Sequence, residues 1–142
     1  MKTVRQLLQG KGTTVLSVAP DATAYDAMKL MAEKNVGALL VLAGGKLNGI
    51  VSERDFARRM FMQNKAPKDI PVSELMTKDV VYVRPDMTSD QCMALMTDKR
   101  VRHLPVVDGD RVMGVLSIGD LVKDTISEQR FIIEQLEHYI HS

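Results

Sequence analysis

Residues Gly49 to Asp55 read GIVSERD, and residues Gly114 to Asp120 read GVLSIGD. The same Gly-apolar-apolar-Ser-x-x-Asp order therefore stands twice, 65 residues apart. Carried back without a gap, that offset pairs PDAT at Pro20 with PDMT at Pro85, Met28 with Met93, Met31 with Met96, Val36 with Val101 and Gly44 with Gly109. Fourteen of the 36 positions from Pro20 to Asp55 match. A repeated unit that cannot bury its apolar face alone buries it against its copy. The two halves are expected to fold together as a single 1–142 module with pseudo-twofold symmetry, its repeats spanning 13–64 and 72–125.

The chain has 142 residues, 45% of them hydrophobic, enough for one compact core and too few for two large domains. Nineteen basic and eighteen acidic residues leave a net charge of +1, which argues against a surface built to hold nucleic acid or an anionic membrane. The single cysteine, Cys92, excludes an intrachain disulfide and gives no sign of an oxidising compartment. MKTVRQLLQG at the start has no apolar stretch of a signal peptide, and no run approaches the ~20 apolar residues that span a bilayer. A cytoplasmic protein is expected.

Each repeat reads as β, α, β, β, α. A β-rich segment (15–18, 80–83) meets a Pro-Asp pair and then a Thr placed to cap a helix; Thr88 and Gln91 have the spacing of a capping box. The following helices carry Ala24, Ala27, Met28 and Met31 on one face, and Cys92, Met93 and Met96 on the other copy's. Two apolar runs then flank a Gly-containing turn, AGGK or DGDR, which predicts a β-hairpin ending at Ser52 or Ser117. A helix resumes after each Ser, with 65–71 linking the copies. Outside the repeats, 3–9 and 127–141 read as helices. In the latter, Ile132, Leu136, Tyr139 and Ile140 form an apolar stripe that faces either its own domain or another subunit. The fold class is α/β of the α+β type, two repeats packed through their sheets and flanked by terminal helices.

A strand that enters a helix through a Ser leaves the first helical amides available to an anion. An Asp three residues on could hold a ribose diol, as acidic residues do in dinucleotide folds. Ser-x-x-Asp is also a plain capping arrangement. Its duplication in register, each time at the end of the same hairpin, favours the nucleotide reading.

The chain resembles a tandem pair of cystathionine β-synthase (CBS) domains, or Bateman module, over about residues 13–125. The resemblance implies two related clefts for adenosine-containing ligands such as AMP, ADP, ATP, NAD or S-adenosylmethionine, with Asp55 and Asp120 on ribose and Ser52 and Ser117 beside phosphate. It implies that Val80, Val81, Val101, Arg102, His103, Leu104 and Pro105 complete the Asp55 cleft, with Arg54 adding a third donor to those of Arg102 and His103. Thr14, Val15, Leu16, Val36, Gly37, Ala38 and Leu39 would complete the Asp120 cleft beside Ile118 and Gly119. With fewer cations, that second cleft is expected to take AMP-like ligands, and the first to take ligands richer in phosphate. The resemblance also implies a homodimer that regulates another protein.

No Ser, Cys or Lys can be matched to a base and an orienting acid, so no catalytic constellation, and no catalytic cofactor, is read here. His103, His138 and His141 lack zinc-ligand spacing. Arg58 and Arg59 read as a solvated helix face. The expected function is that of a non-enzymatic nucleotide sensor. The competing reading is an interaction module whose Ser and Asp pairs serve only as caps.

Overall fold

The protein is described here by a computed structural model covering residues 2–141, without the side chain of His141. The elements run α1 (Val4–Lys11), β1 (Ser17–Val18), α2 (Ala24–Lys34), β2 (Ala38–Ala43), β3 (Lys46–Ser52), α3 (Glu53–Arg59), α4 (Ser89–Lys99), β4 (His103–Asp108), β5 (Arg111–Ser117) and α5 (Ile118–His141), with single 3-10 turns at 60–62, 67–69 and 72–74. This is the α+β architecture expected.

Local chemistry sets most boundaries. Thr23 and Thr88 accept from the amides of Asp26 and Gln91, and Gln91 returns the bond to complete the capping box. Both helices end on a left-handed residue, Asn35 (φ 53°) and Arg100 (φ 55°), at equivalent places in the repeat. The hairpins match in detail. β2 pairs antiparallel with β3 and β4 with β5, and each breaks register at the same place, Val41/Leu42 and Val106/Val107. Gly44 and Gly109 turn the chain with positive φ, a conformation glycine adopts without a Cβ clash.

Three expectations need correcting. The first strand of the second repeat shrinks to one parallel bridge, Val83 with Val106, because Val80 and Val81 line a cleft instead of pairing. Met28 is partly exposed, although Ala24, Ala27 and Met31 around it are buried. The last two helices are one continuous helix, α5, since no Gly or Pro interrupts the chain beyond Gly119.

The largest difference lies in the cores. One cluster gathers Ala24, Ala27, Met31, Leu39, Val41, Val51 and Phe56 with Ile70 from the linker and Val72, Leu75 and Met76 from the start of the second repeat. The other gathers Val83, Cys92, Met96, Leu104, Val106, Leu116 and Leu121 with Val4, Leu7 and Leu8 from α1. Helix α1 is therefore no flanking element. TVRQLL at 3–8 plays for the second half the part that PVSELM at 71–76 plays for the first. The bridges Thr3 with Thr88 and Thr23 with Pro71 occupy matching positions. Each half is completed by the segment that precedes the other, and the two sheets touch through β3 and β5.

Candidate functional site

The two Ser-x-x-Asp turns are built alike. Ser52 N donates to Asp55 Oδ2 at 2.8 Å, and Asp55 N donates back to Ser52 Oγ at 3.3 Å. Ser117 N to Asp120 Oδ2 is 2.7 Å and Asp120 N to Ser117 Oγ is 3.2 Å. The amides of Glu53 and Ile118 donate to the carbonyls of Gly37 and Arg102. Fewer first-turn amides are thus open to an anion than the sequence suggested, because a loop carbonyl and the cap take two at each start. What separates the turns is the second carboxylate partner. Asp55 Oδ1 meets only the hydroxyl of Thr77, at a long 3.5 Å. Lys11 at the end of α1 places Nζ 2.6 Å from Asp120 Oδ2 and also donates to the carbonyl of Val115.

A cavity of about 660 Å³ opens beside Asp55. It is lined by Ser52, Arg54, Asp55, Val80, Val81, Val101, Arg102 and His103, all expected there. Glu53, Arg58, Arg59, Thr77, Asp79 and Arg100 join them, giving five arginines against three carboxylates. Leu104 and Pro105 do not reach it. Both are buried, Leu104 in the second core cluster, because the middle of β4 is covered on both faces. Gly37, expected on the Asp120 side, lines this cavity; a Cβ there would lie 3.5 Å from the His103 ring and 3.7 Å from Glu53 Oε1. Arg59 is exposed, as expected of a solvated face, but its guanidinium is anchored, donating to the carbonyls of Leu75 and Met76 at 2.9 and 2.7 Å. Arg54 donates to the carbonyl of Arg100 at 3.2 Å, tying α3 to the left-handed end of α4.

On the Asp120 side the residues expected to complete a cleft divide. Leu16 and Val36 pack on the first core cluster and Ile118 on the second. Ala38 pairs with Ser52 in the hairpin, Leu39 is fully buried, and Gly119 sits beside Ser117 Oγ. Thr14 is exposed and Val15 half-buried in the segment between α1 and β1. One cation that sequence spacing could not place there, Lys11, stands beside Asp120, against five arginines around Asp55.

Electrostatics follow the contacts. Burial alone would raise the Asp120 carboxyl, but the hydrogen bonds from Lys11 and Ser117 outweigh it and hold the group below the usual value. Burial, then the positive charge of Lys11, pushes His103 below the ordinary histidine value against the opposing pull of Asp120 and Glu53. Burial pushes the Cys92 thiol up to about 11, which leaves it protonated and inert at neutral pH. Among the described residues no cluster of His, Cys, Asp and Glu is suited to a metal, and no helix is long and apolar enough to cross a membrane.

The CBS domain family model matches residues 12–61 and 72–126, and the chain belongs to that family. It is 36% identical over 147 residues to CBSX3, a mitochondrial CBS domain-containing protein of Arabidopsis thaliana, covering 97% of this chain and 71% of that one. Among solved structures, a CBS domain, NE2398, is 54% identical with a TM-score of 0.86, covering 88% of this chain and 98% of that one. The CBS domain pair of MJ0100, solved with 5′-methylthioadenosine and S-adenosyl-L-methionine, shares the fold at 24% identity and a TM-score of 0.80, covering 90% and 98%. CBS pairs are regulatory modules that bind adenosine-containing ligands, and the names of these relatives carry no enzymatic activity.

Proposed function

We propose that the protein is a sensor of adenosine phosphates, with AMP, ADP, ATP or NAD bound in the Asp55 cleft, and that it signals to another protein by a change of conformation or assembly. The observation that carries this reading is the open, arginine-rich cavity beside a carboxylate with a spare oxygen. Asp55 Oδ2 serves the helix cap, which leaves Oδ1 for a ribose diol. Arg54, Arg102 and the neighbouring arginines supply the planar donors that suit phosphate. Five arginines against three carboxylates favour an anionic ligand over the sulfonium of S-adenosylmethionine. At the Asp120 turn Lys11 sits on Oδ2, the capping oxygen, so a ribose diol on Oδ1 leaves that ion pair in place and the ammonium is a natural partner for a single phosphate. This supports an AMP-like ligand there.

Calorimetric titration with AMP, ATP, NAD and S-adenosylmethionine tests the reading. Asp55→Asn keeps a cap acceptor and removes the charge. It should weaken binding of the phosphate ligands by one to two decades, the loss of a charge-assisted hydrogen bond worth roughly 1.5–3 kcal/mol. Asp120→Asn should leave that site intact. Absence of binding to wild-type protein, or tighter binding of S-adenosylmethionine than of AMP, would refute it.

A further inference from the structure

Helix α5 leaves its own domain after Asp124 and Thr125. Leu121 and Asp124 are buried, and Asp124 is held by Lys2 Nζ at 2.8 Å, whereas every residue from Gln129 to Ile140 is exposed. Ile132, Leu136 and Ile140 of the stripe expected at the end of the chain are therefore open to solvent and not packed in the core of the domain. The apolar spacing along α5 is regular over a longer stretch than that stripe. Val122, Ile126, Gln129, Ile133, Leu136 and Ile140 alternate four and three residues apart, the a/d pattern of a two-helix seam. The apolar members are exposed, from 42% at Val122 to 73% at Ile140. At 1.5 Å per residue the seam is about 27 Å long.

We propose that this seam pairs with the same seam of a second copy, antiparallel, about a twofold axis at residue 131. The spacing is self-complementary in that direction. Val122 meets the partner's Ile140, Ile126 the partner's Leu136, and Gln129 the partner's Ile133, with no residue left over. Charge selects the same direction. Lys123 and Glu137 flank the seam at opposite ends of one helix, and antiparallel pairing brings each beside its opposite in the partner, whereas parallel pairing brings neither near an opposite charge. The one like-charge meeting is Arg130 with the partner's Arg130 at the axis, where each arginine has Glu134 one turn on along its own helix. Gln129 near the centre sets register at some cost in stability. The proposal is independent of nucleotide binding.

Disulfide trapping tests it. Val122→Cys and Ile140→Cys variants are prepared separately, then mixed, allowed to exchange subunits and oxidised mildly. The only native cysteine, Cys92, is buried, so the wild-type chain is the uncrosslinked control. The expected result is a crosslinked dimer in the mixture and none in either variant alone. Crosslinking of each variant alone would mean parallel pairing, and no crosslink in the mixture would mean that another surface or another protein covers the seam; either overturns the proposal. Sedimentation of Leu136→Glu, which puts a charge in the seam without touching the domain, should show association weakened by at least ~100-fold with an unchanged thermal midpoint at low protein concentration. Unchanged association would refute it as well.

Discussion

Replacing the two motif glycines by alanine should have unequal costs, although the sequence presents them as equivalents. A Cβ on Gly49 would lie 2.7 Å from Met76 Sδ and 2.9 Å from the carbonyl oxygen of Thr77. That carbonyl cannot retreat easily. It accepts from Ile50 N at 3.1 Å while Thr77 N donates to Ile50 O at 2.8 Å, a closed pair that fixes the two backbones. A Cβ on Gly114 would come within 2.8 Å of Leu8 Cδ2, the end of a core side chain that can shift by a few tenths of an ångström with no backbone atom in the way. Overpacking costs roughly 1–3 kcal/mol, and a backbone clash belongs at the upper end. Both substitutions recover about 0.4–1 kcal/mol by restricting the unfolded chain. Gly49→Ala should thus lose about 2 kcal/mol, a fall of roughly 4–8 °C in Tm at this length, and Gly114→Ala should stay close to wild type. Paired thermal and urea unfolding with unchanged m-values measures the difference. Thr77 also faces Asp55, so Gly49→Ala should weaken nucleotide binding while Gly114→Ala does not. Equal losses of stability, or a greater loss in Gly114→Ala, would refute the reasoning.

Arg100 ends α4 in the left-handed region, which costs a non-glycine residue of this kind roughly 1 kcal/mol. Arg100→Asn should therefore raise Tm by about 2–4 °C while weakening ATP binding, a trade readable by melting and titration; a lower Tm would contradict it. His103 is held below its ordinary value by burial and Lys11, so the fold favours the neutral ring and the unfolded chain takes up the proton first. Its contribution to stability is full above about pH 6.5 and is lost as pH falls. His103→Asn should accordingly melt with less acid sensitivity than wild type between pH 7.5 and 5.5, and parallel curves would rule that out. Lys11→Met should lower the preference for AMP over adenosine at Asp120 by about tenfold or more, because the ammonium that would meet the phosphate is gone. An unchanged preference in competition titrations would show that Lys11 does not meet the phosphate.

What could be read from the sequence was local. Thr23 and Thr88 cap because a hydroxyl sits at the right place before each helix, and the hairpins follow from apolar runs around Gly44 and Gly109. The motif also placed Ser52 and Asp55 on the cleft that has an open cavity. The contribution of α1 stayed hidden for a countable reason: 3–18 holds three more residues than its counterpart 71–83, so the 65-residue offset fails before β1. Only Val and Leu at corresponding places tie TVRQLL to PVSELM, too little to stand out without the shared core. Lys11 escaped notice because a flexible side chain reaching across 109 positions leaves no trace in spacing. The burial of Leu104 depends on what covers the faces of β4, and the apolar run around it on the chain does not decide that.

The exchange of segments bears on how such a module could respond to a ligand. Thr77, beside Asp55, continues directly from Leu75 and Met76, which are built into the first core, and Arg59 on α3 grips the carbonyls of those same two residues. Lys11, on Asp120, is the last residue of the helix whose Val4, Leu7 and Leu8 fill the second core, and Asp120 itself lies in the first turn of α5. Each carboxylate is thus met by a segment anchored in the core of its own half, yet that segment comes from the other end of the repeat. A ligand can shift a conformational equilibrium only by its differential affinity for the two states. Two contacts stand beside the carboxylates: the long Thr77 bond at Asp55 and the Lys11 ion pair at Asp120. Of the two, only the Lys11 contact lies at the root of the helix that carries the exposed seam, so a ligand bound at Asp120 would have the shorter mechanical route to the proposed helix pairing.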